Sequence, residues 1–123
     1  MTKPIEVNIT NEYIHIQVSG ENNFENCKFG WQTLVDTCQQ AQQFHCLVEG
    51  YMDNPLPTMA AYDHVQLLKD VGLTNKHRVA YVDHNPNTYP AAKFGETVVH
   101  NRGFYNIKIF NKVDDALSWL LSH

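Results

Sequence analysis

Carboxylates and an imidazole recur where the chain changes direction. Glu49 and Asp53 border one such segment, and Asp83-His84 open another, DHNPN at 83–87. Carboxylate beside imidazole is the pairing that an acid–base catalyst or a transition-metal site needs. The spacing argues against both, because H-E-x-x-H and H-x-x-x-H are missing and Asp83 and Asn85 are also ordinary turn formers. The seven histidines (His15, His45, His64, His77, His84, His100 and His123) are scattered over strands, helices, loops and the terminus, which predicts surface positions rather than a shared metal. A nucleophile elbow, G-x-S-x-G, is absent, as are the glycine-rich phosphate loops. Cys27, Cys38 and Cys46 are odd in number, lack C-x-x-C spacing and fall on apolar positions. They read as free, buried thiols. The expectation is a non-enzymatic chain with no metal and no cofactor.

Binding offers more. Tyr51, Met52, Leu56 and Met59 cluster in and beside the segment Tyr51–Pro57, YMDNPLP, whose two prolines predict an exposed loop. Tyr62, Tyr89 and Phe94 are supplied by adjacent helices. These seven side chains either line a pocket for a lipophilic small molecule or fold back to cap the core. Thr58, just after the loop, is suited to cap the next helix. A phosphate on its hydroxyl would meet that helix's N-terminal dipole, a switch suited to a regulatory protein partner.

Elements must hold these residues in place. Ile5, Val7 and Ile9 alternate with polar residues, as do Ile14, Ile16 and Val18, so two strands form an opening hairpin. From Phe24 to about Phe44, Cys27, Trp31, Leu34, Cys38 and Ala41 recur at helical steps, and packing accounts for Trp31. Cys46-Leu47-Val48 predicts a third strand ending at Glu49-Gly50, and Arg78–Val82 (RVAYV) a fourth. A helix with Ala61, Val65 and Leu68 lies between them, ending at Gly72. Thr88 or Tyr89 opens a third helix, and Ile107–Ile109 forms the last strand. Asn111 reads as the cap of a final helix with Asp114 in the capping-box position, and Trp119 lies beside its apolar face. Strands separated by helices must run parallel, so a mixed five-stranded sheet follows, with four helices mainly on one side.

The 123 residues make one domain, 1–123. Hydrophobic residues at 43% and charged residues at 18% exclude a disordered chain, and a net charge of -4 argues against nucleic acid. Met1–Thr10 alternates rather than forming the apolar run of a secretory signal, and no stretch approaches the ~20 apolar residues of a membrane span. A cytoplasmic location is expected.

The element order, with its opening hairpin, resembles the STAS fold of bacterial anti-sigma-factor antagonists. It is more similar to the SpoIIAA-like family, whose fold is compared with CRAL-TRIO lipid-transfer domains. Arg78-Val79-Ala80-Tyr81-Val82 resembles that family's riAvV-type strand. Ile107-Lys108-Ile109-Phe110, then Asp114, Asp115, Ala116, Trp119 and Leu120, resembles its closing "vkvF…deA…WL" pattern. The resemblance implies a binding or regulatory domain whose ligand is an apolar small molecule or lipid, with peripheral membrane contact as a further implication. A homodimer stays open. STAS antagonists carry a phosphorylatable Ser, commonly after Asp, where this chain reads Leu56-Pro57-Thr58-Met59; the hydroxyl is present and the Asp-Ser pair is not.

Overall fold

A computed structural model describes residues 5–122, so His123 lies outside the described residues. Five strands alternate with four helices: β1 (Ile5–Ile9), β2 (Ile14–Gly20), α1 (Phe24–Ala41), β3 (His45–Met52), α2 (Thr58–Val71), β4 (Arg78–Asp83), α3 (Tyr89–His100), β5 (Ile107–Phe110) and α4 (Val113–Leu120). The sheet order is β1-β2-β3-β4-β5. β1 and β2 pair antiparallel, and the remaining neighbours pair parallel.

This simple order dictates where the helices go. Crossovers between parallel strands are right-handed, and each step from β2 to β5 advances in the same direction across the sheet. The three crossover helices α1, α2 and α3 therefore share one face. There Ile14, Ile16, Cys46, Val48, Val79 and Ile107 meet Leu34 and Cys38 of α1, Val65 and Leu68 of α2, and Val98 and Val99 of α3. α4 follows the edge strand, is not a crossover, and covers the opposite face, where Ala116 and Leu120 pack on Leu47, Ala80 and Val82.

Arg78 ties α4 down. Its guanidinium donates to the carbonyls of Trp119 (2.5 Å) and Leu120 (3.2 Å), to Asn106 Oδ1 and to Ser122 Oγ. It also lies 3.8 Å from the centroid of the Trp119 ring. One cation thus satisfies carbonyls left open at a helix C-terminus and complements the dipole there. Trp119 is half-buried as the flat seat of this clamp.

The termini differ from the sequence reading in instructive ways. α1 stops at Ala41, short of Phe44, because Gln42 adopts a left-handed conformation (φ 55°) and its N–H closes on the Cys38 carbonyl. Its N-cap is Asn23, whose side chain accepts from the Asn26 N–H at 2.8 Å. Gly72, at φ 88°, ends α2 as expected. Thr58, however, is the first helical residue and makes no cap bond; Pro57 holds the cap position. Asn111 does not cap α4 either, since Lys112 stands there without a side-chain cap. β3 runs two residues further than expected and takes Tyr51 and Met52 out of the loop, because Ser19 and Gly20 of β2 still pair with them. β4 likewise absorbs Asp83, which pairs with Gly50.

Candidate functional site

Period two along β3 and β4 assigns each side chain to a face. Met52, Tyr81 and Asp83 point with the core toward the three helices, whereas Glu49, Tyr51 and His84 point to the side of α4. The polar cluster anticipated around Glu49, Asp53, Asp83 and His84 is therefore divided by the sheet.

On the three-helix side, a cavity of about 230 Å³ opens between α2 and α3 at the carboxyl ends of β3 and β4. Trp31, Met52, Leu56, Ala61, Leu68, Phe94, Val99 and Ile107 give it apolar walls. A smaller lobe of about 90 Å³ continues beneath α1 and shares Asn22, Cys27, Trp31, Met52 and Tyr81 with the first. Gly50 makes room for this junction, because a Cβ there would lie 1.9 Å from the Tyr81 hydroxyl. Gly95 faces the cavity with open space where its side chain would be.

The polar groups in these walls are few. Asp83, 4% exposed, accepts from the Thr88 hydroxyl (2.6 and 2.7 Å) and from the Asn85 N–H at 3.0 Å. The Thr88 hydroxyl donates to this carboxylate and makes no cap bond to α3. Burial, with the nearby Asp83 and Cys27, pushes the Tyr81 phenol above its ordinary pKa. Burial likewise pushes the Cys27 thiol up to about 11. His64 Nδ1 bonds the Ala60 carbonyl at 2.8 Å, so the proton sits there and Nε2 is a bare acceptor. Burial lowers the His64 pKa, against the Ala60 carbonyl and Asp63, and so favours the neutral ring. Glu96 is held by Lys93 (3.1 Å) and the Ile109 N–H (2.5 Å).

Of the seven apolar side chains anticipated as a pocket, Met52, Leu56 and Phe94 line this cavity, with Thr58 at its rim. Tyr51 belongs to the other face of the sheet. Met59 is 69% exposed, Tyr62 projects outward against the edge of Phe94, and Tyr89 is half-buried outside the lining. Periodicity places Trp31 and Tyr81 in the core and the scatter of the histidines predicts a surface position for His64; nothing in the sequence marks them as cavity walls.

On the α4 side, Glu49 bridges β2, β3 and the segment after β4. His15 Nε2 donates to one carboxylate oxygen at 2.5 Å and His84 Nε2 to the other at 2.9 Å. Tyr51 stacks on the His84 ring with centroids 4.5 Å apart and approaches Glu49 at 3.4 Å. Burial raises the Glu49 pKa, but hydrogen bonds and charge from both histidines outweigh it and hold the carboxyl below its ordinary range. Asp53 stays on the exposed loop, where its N–H donates to the Gly20 carbonyl. Among the described residues, no cluster of His, Cys, Asp or Glu has the arrangement to hold a metal ion, and no helix is long and apolar enough to cross a membrane. The three cysteines are free, with Cys38 and Cys46 Sγ 3.3 Å apart in the core.

No family model and no curated protein matches the sequence. Solved structures do match the fold. A crystal structure of an anti-sigma factor antagonist from Mycobacterium paratuberculosis is similar with a TM-score of 0.62 at 12% identity, covering 96% of this chain and 93% of that one. An uncharacterised protein with a SpoIIAA-like fold from Shewanella loihica is similar with a TM-score of 0.55 at 18% identity, covering 94% of this chain and 91% of that one. The architecture is the SpoIIAA-like, STAS-type α/β fold that the element order and the closing motif implied.

Proposed function

We propose that this chain is a non-enzymatic binding domain that holds a lipophilic small molecule between α2 and α3. The observation that carries this reading is the cavity of about 230 Å³ with apolar walls and a few inward polar groups, the usual constitution of a small-molecule site. Its size favours a compact ligand over an extended lipid, since sites for drug-sized molecules usually reach ~300–1,000 Å³. That sharpens the lipid-like ligand implied by the family resemblance.

Gly95→Leu tests the reading. The new side chain enters open space at the cavity, and replacing glycine inside a helix removes a cost of about 0.5–1 kcal/mol. The variant should keep the melting temperature of the parent and lose whatever co-purifies with it in native mass spectra. Equal retention of a co-purifying molecule by both proteins would overturn the cavity as its site.

A second reading is supported by the likeness to an anti-sigma factor antagonist: a regulatory module that meets a protein partner and is switched by phosphorylation at Thr58. Thr58 is exposed, begins α2 and makes no cap bond, so a phosphate there would face free backbone N–H groups. Phosphopeptide mapping of protein isolated from its own cells checks this, and persistent absence of phosphate at Thr58 would remove the switch.

A further inference from the structure

The charge of the cavity is one-sided. Asp83 and Glu96 both contribute carboxylates to its walls, and no Lys or Arg is among its lining residues. Glu96 is already matched by Lys93. Asp83 is not: its partners are a hydroxyl and a backbone N–H, both neutral, and no cation bonds it among the described residues. A buried carboxylate without a counter-charge is costly and retains acceptor capacity beyond the two donors it has. The bare Nε2 of His64 adds an acceptor in the same walls, and the Tyr81 hydroxyl, which makes no hydrogen bond among the described residues, can accept or donate there. An anionic ligand would meet like charge in this space, whereas a cationic donor would meet acceptors.

We infer that the cavity takes a compact hydrophobic amine, its ammonium paired with Asp83 and its apolar body lodged between α2 and α3. This rests on the reading of the cavity as a ligand site. The same charge arrangement disfavours fatty acids and other apolar anions.

Three probes of one shape separate the possibilities: cyclohexylmethylamine (an ammonium at neutral pH), cyclohexylmethanol and cyclohexanecarboxylate. Each is titrated into the ¹⁵N-labelled full chain, and the amide shifts of Leu56, Thr58 and Gly95 are followed. The amine should bind about tenfold more tightly than the alcohol, as a charge-assisted hydrogen bond implies, and the carboxylate most weakly. Asp83→Asn should remove the advantage of the amine and leave the alcohol within about twofold, since only the charged contact is lost. Equal binding of the three probes, or strongest binding by the carboxylate, overturns the amine and leaves the cavity as a ligand site. An amine preference that survives Asp83→Asn overturns the role of Asp83. No response of the three amides to any probe overturns the ligand-site reading and the inference with it. The ranking on the parent protein decides the class even where Asp83→Asn fails to fold.

Discussion

The two faces of the sheet solve the burial problem differently. Toward α1, α2 and α3, three crossover helices supply enough apolar surface to bury the central strands and still leave a void at their carboxyl ends. On the other side, eight residues of α4 cover only part of the sheet, and the remainder is finished with polar chemistry: Glu49 gripped by His15 and His84, and Tyr51 laid over His84. The first face gains specificity from shape and the second from directed hydrogen bonds. A void on the first face invites a ligand. On the second face the small helix is held by the buried Leu120 and by Arg78.

That dependence is the first thing to break. Leu120 is fully buried, and Leu120→Ala should cost about 2–5 kcal/mol. Hydrogen exchange should show α4 losing protection while α1–α3 keep theirs; uniform loss of protection would mean that the two faces unfold as one unit. Arg78→Met comes next, at about 2–3 kcal/mol in urea unfolding, because it leaves the α4 carbonyls and the Trp119 face without their shared cation. Arg78→Lys should recover only part of the loss, since an ammonium cannot span four acceptors and stack as well.

Gly50→Ala probes the other face. The added methyl overlaps the Tyr81 phenol, so a cost of about 1–3 kcal/mol is expected from overpacking. Gly50→Ala combined with Tyr81→Leu should restore stability, and failure of that rescue would place the strain elsewhere.

A smaller effect separates the faces by pH. Glu49 has its folded pKa held below the ordinary value, chiefly against burial, by His15 and His84. Its contribution to stability is present above the unfolded pKa of about 4.3 and is lost as pH falls through the lower folded value. Glu49→Gln should therefore flatten the acid limb of the stability profile below about pH 4.3. An unchanged acid limb would mean that other carboxylates govern it. Smallest of all, Met59→Ser should shift stability by no more than about 0.5 kcal/mol and leave probe binding intact, because Met59 is exposed and away from the cavity.

Much of this architecture was legible in residue order. Period-two runs marked β1 and β2, the stripe Cys27, Trp31, Leu34 and Cys38 marked α1, and Gly72 marked the end of α2. Leu56 of the loop and Met52 at the end of β3 line the cavity between α2 and α3. Capping was harder to read: Thr58 and Asn111 had the right chemistry one position away from the caps, Pro57 and Lys112, and a side-chain oxygen finds its donor only when the surroundings are set. Tyr51 shows a second limit. Its neighbours in sequence look like a loop, yet pairing with Ser19 prolongs β3 and sends its ring to the far side of the sheet.

Sequence alone determined the order of elements, their alternating or helical faces and the parallel crossovers, because these follow from periods of two and about 3.6 residues and from crossover handedness. Which side chains meet was decided by the tertiary structure. Glu49, Asp53, Asp83 and His84 formed one candidate cluster along the chain. In the fold, strand parity sends Asp83 into the cavity and joins Glu49 and His84 to the distant His15 on the opposite face. A side chain's face depends on the residue at which a strand begins its register, and that is fixed by partners supplied from elsewhere in the chain.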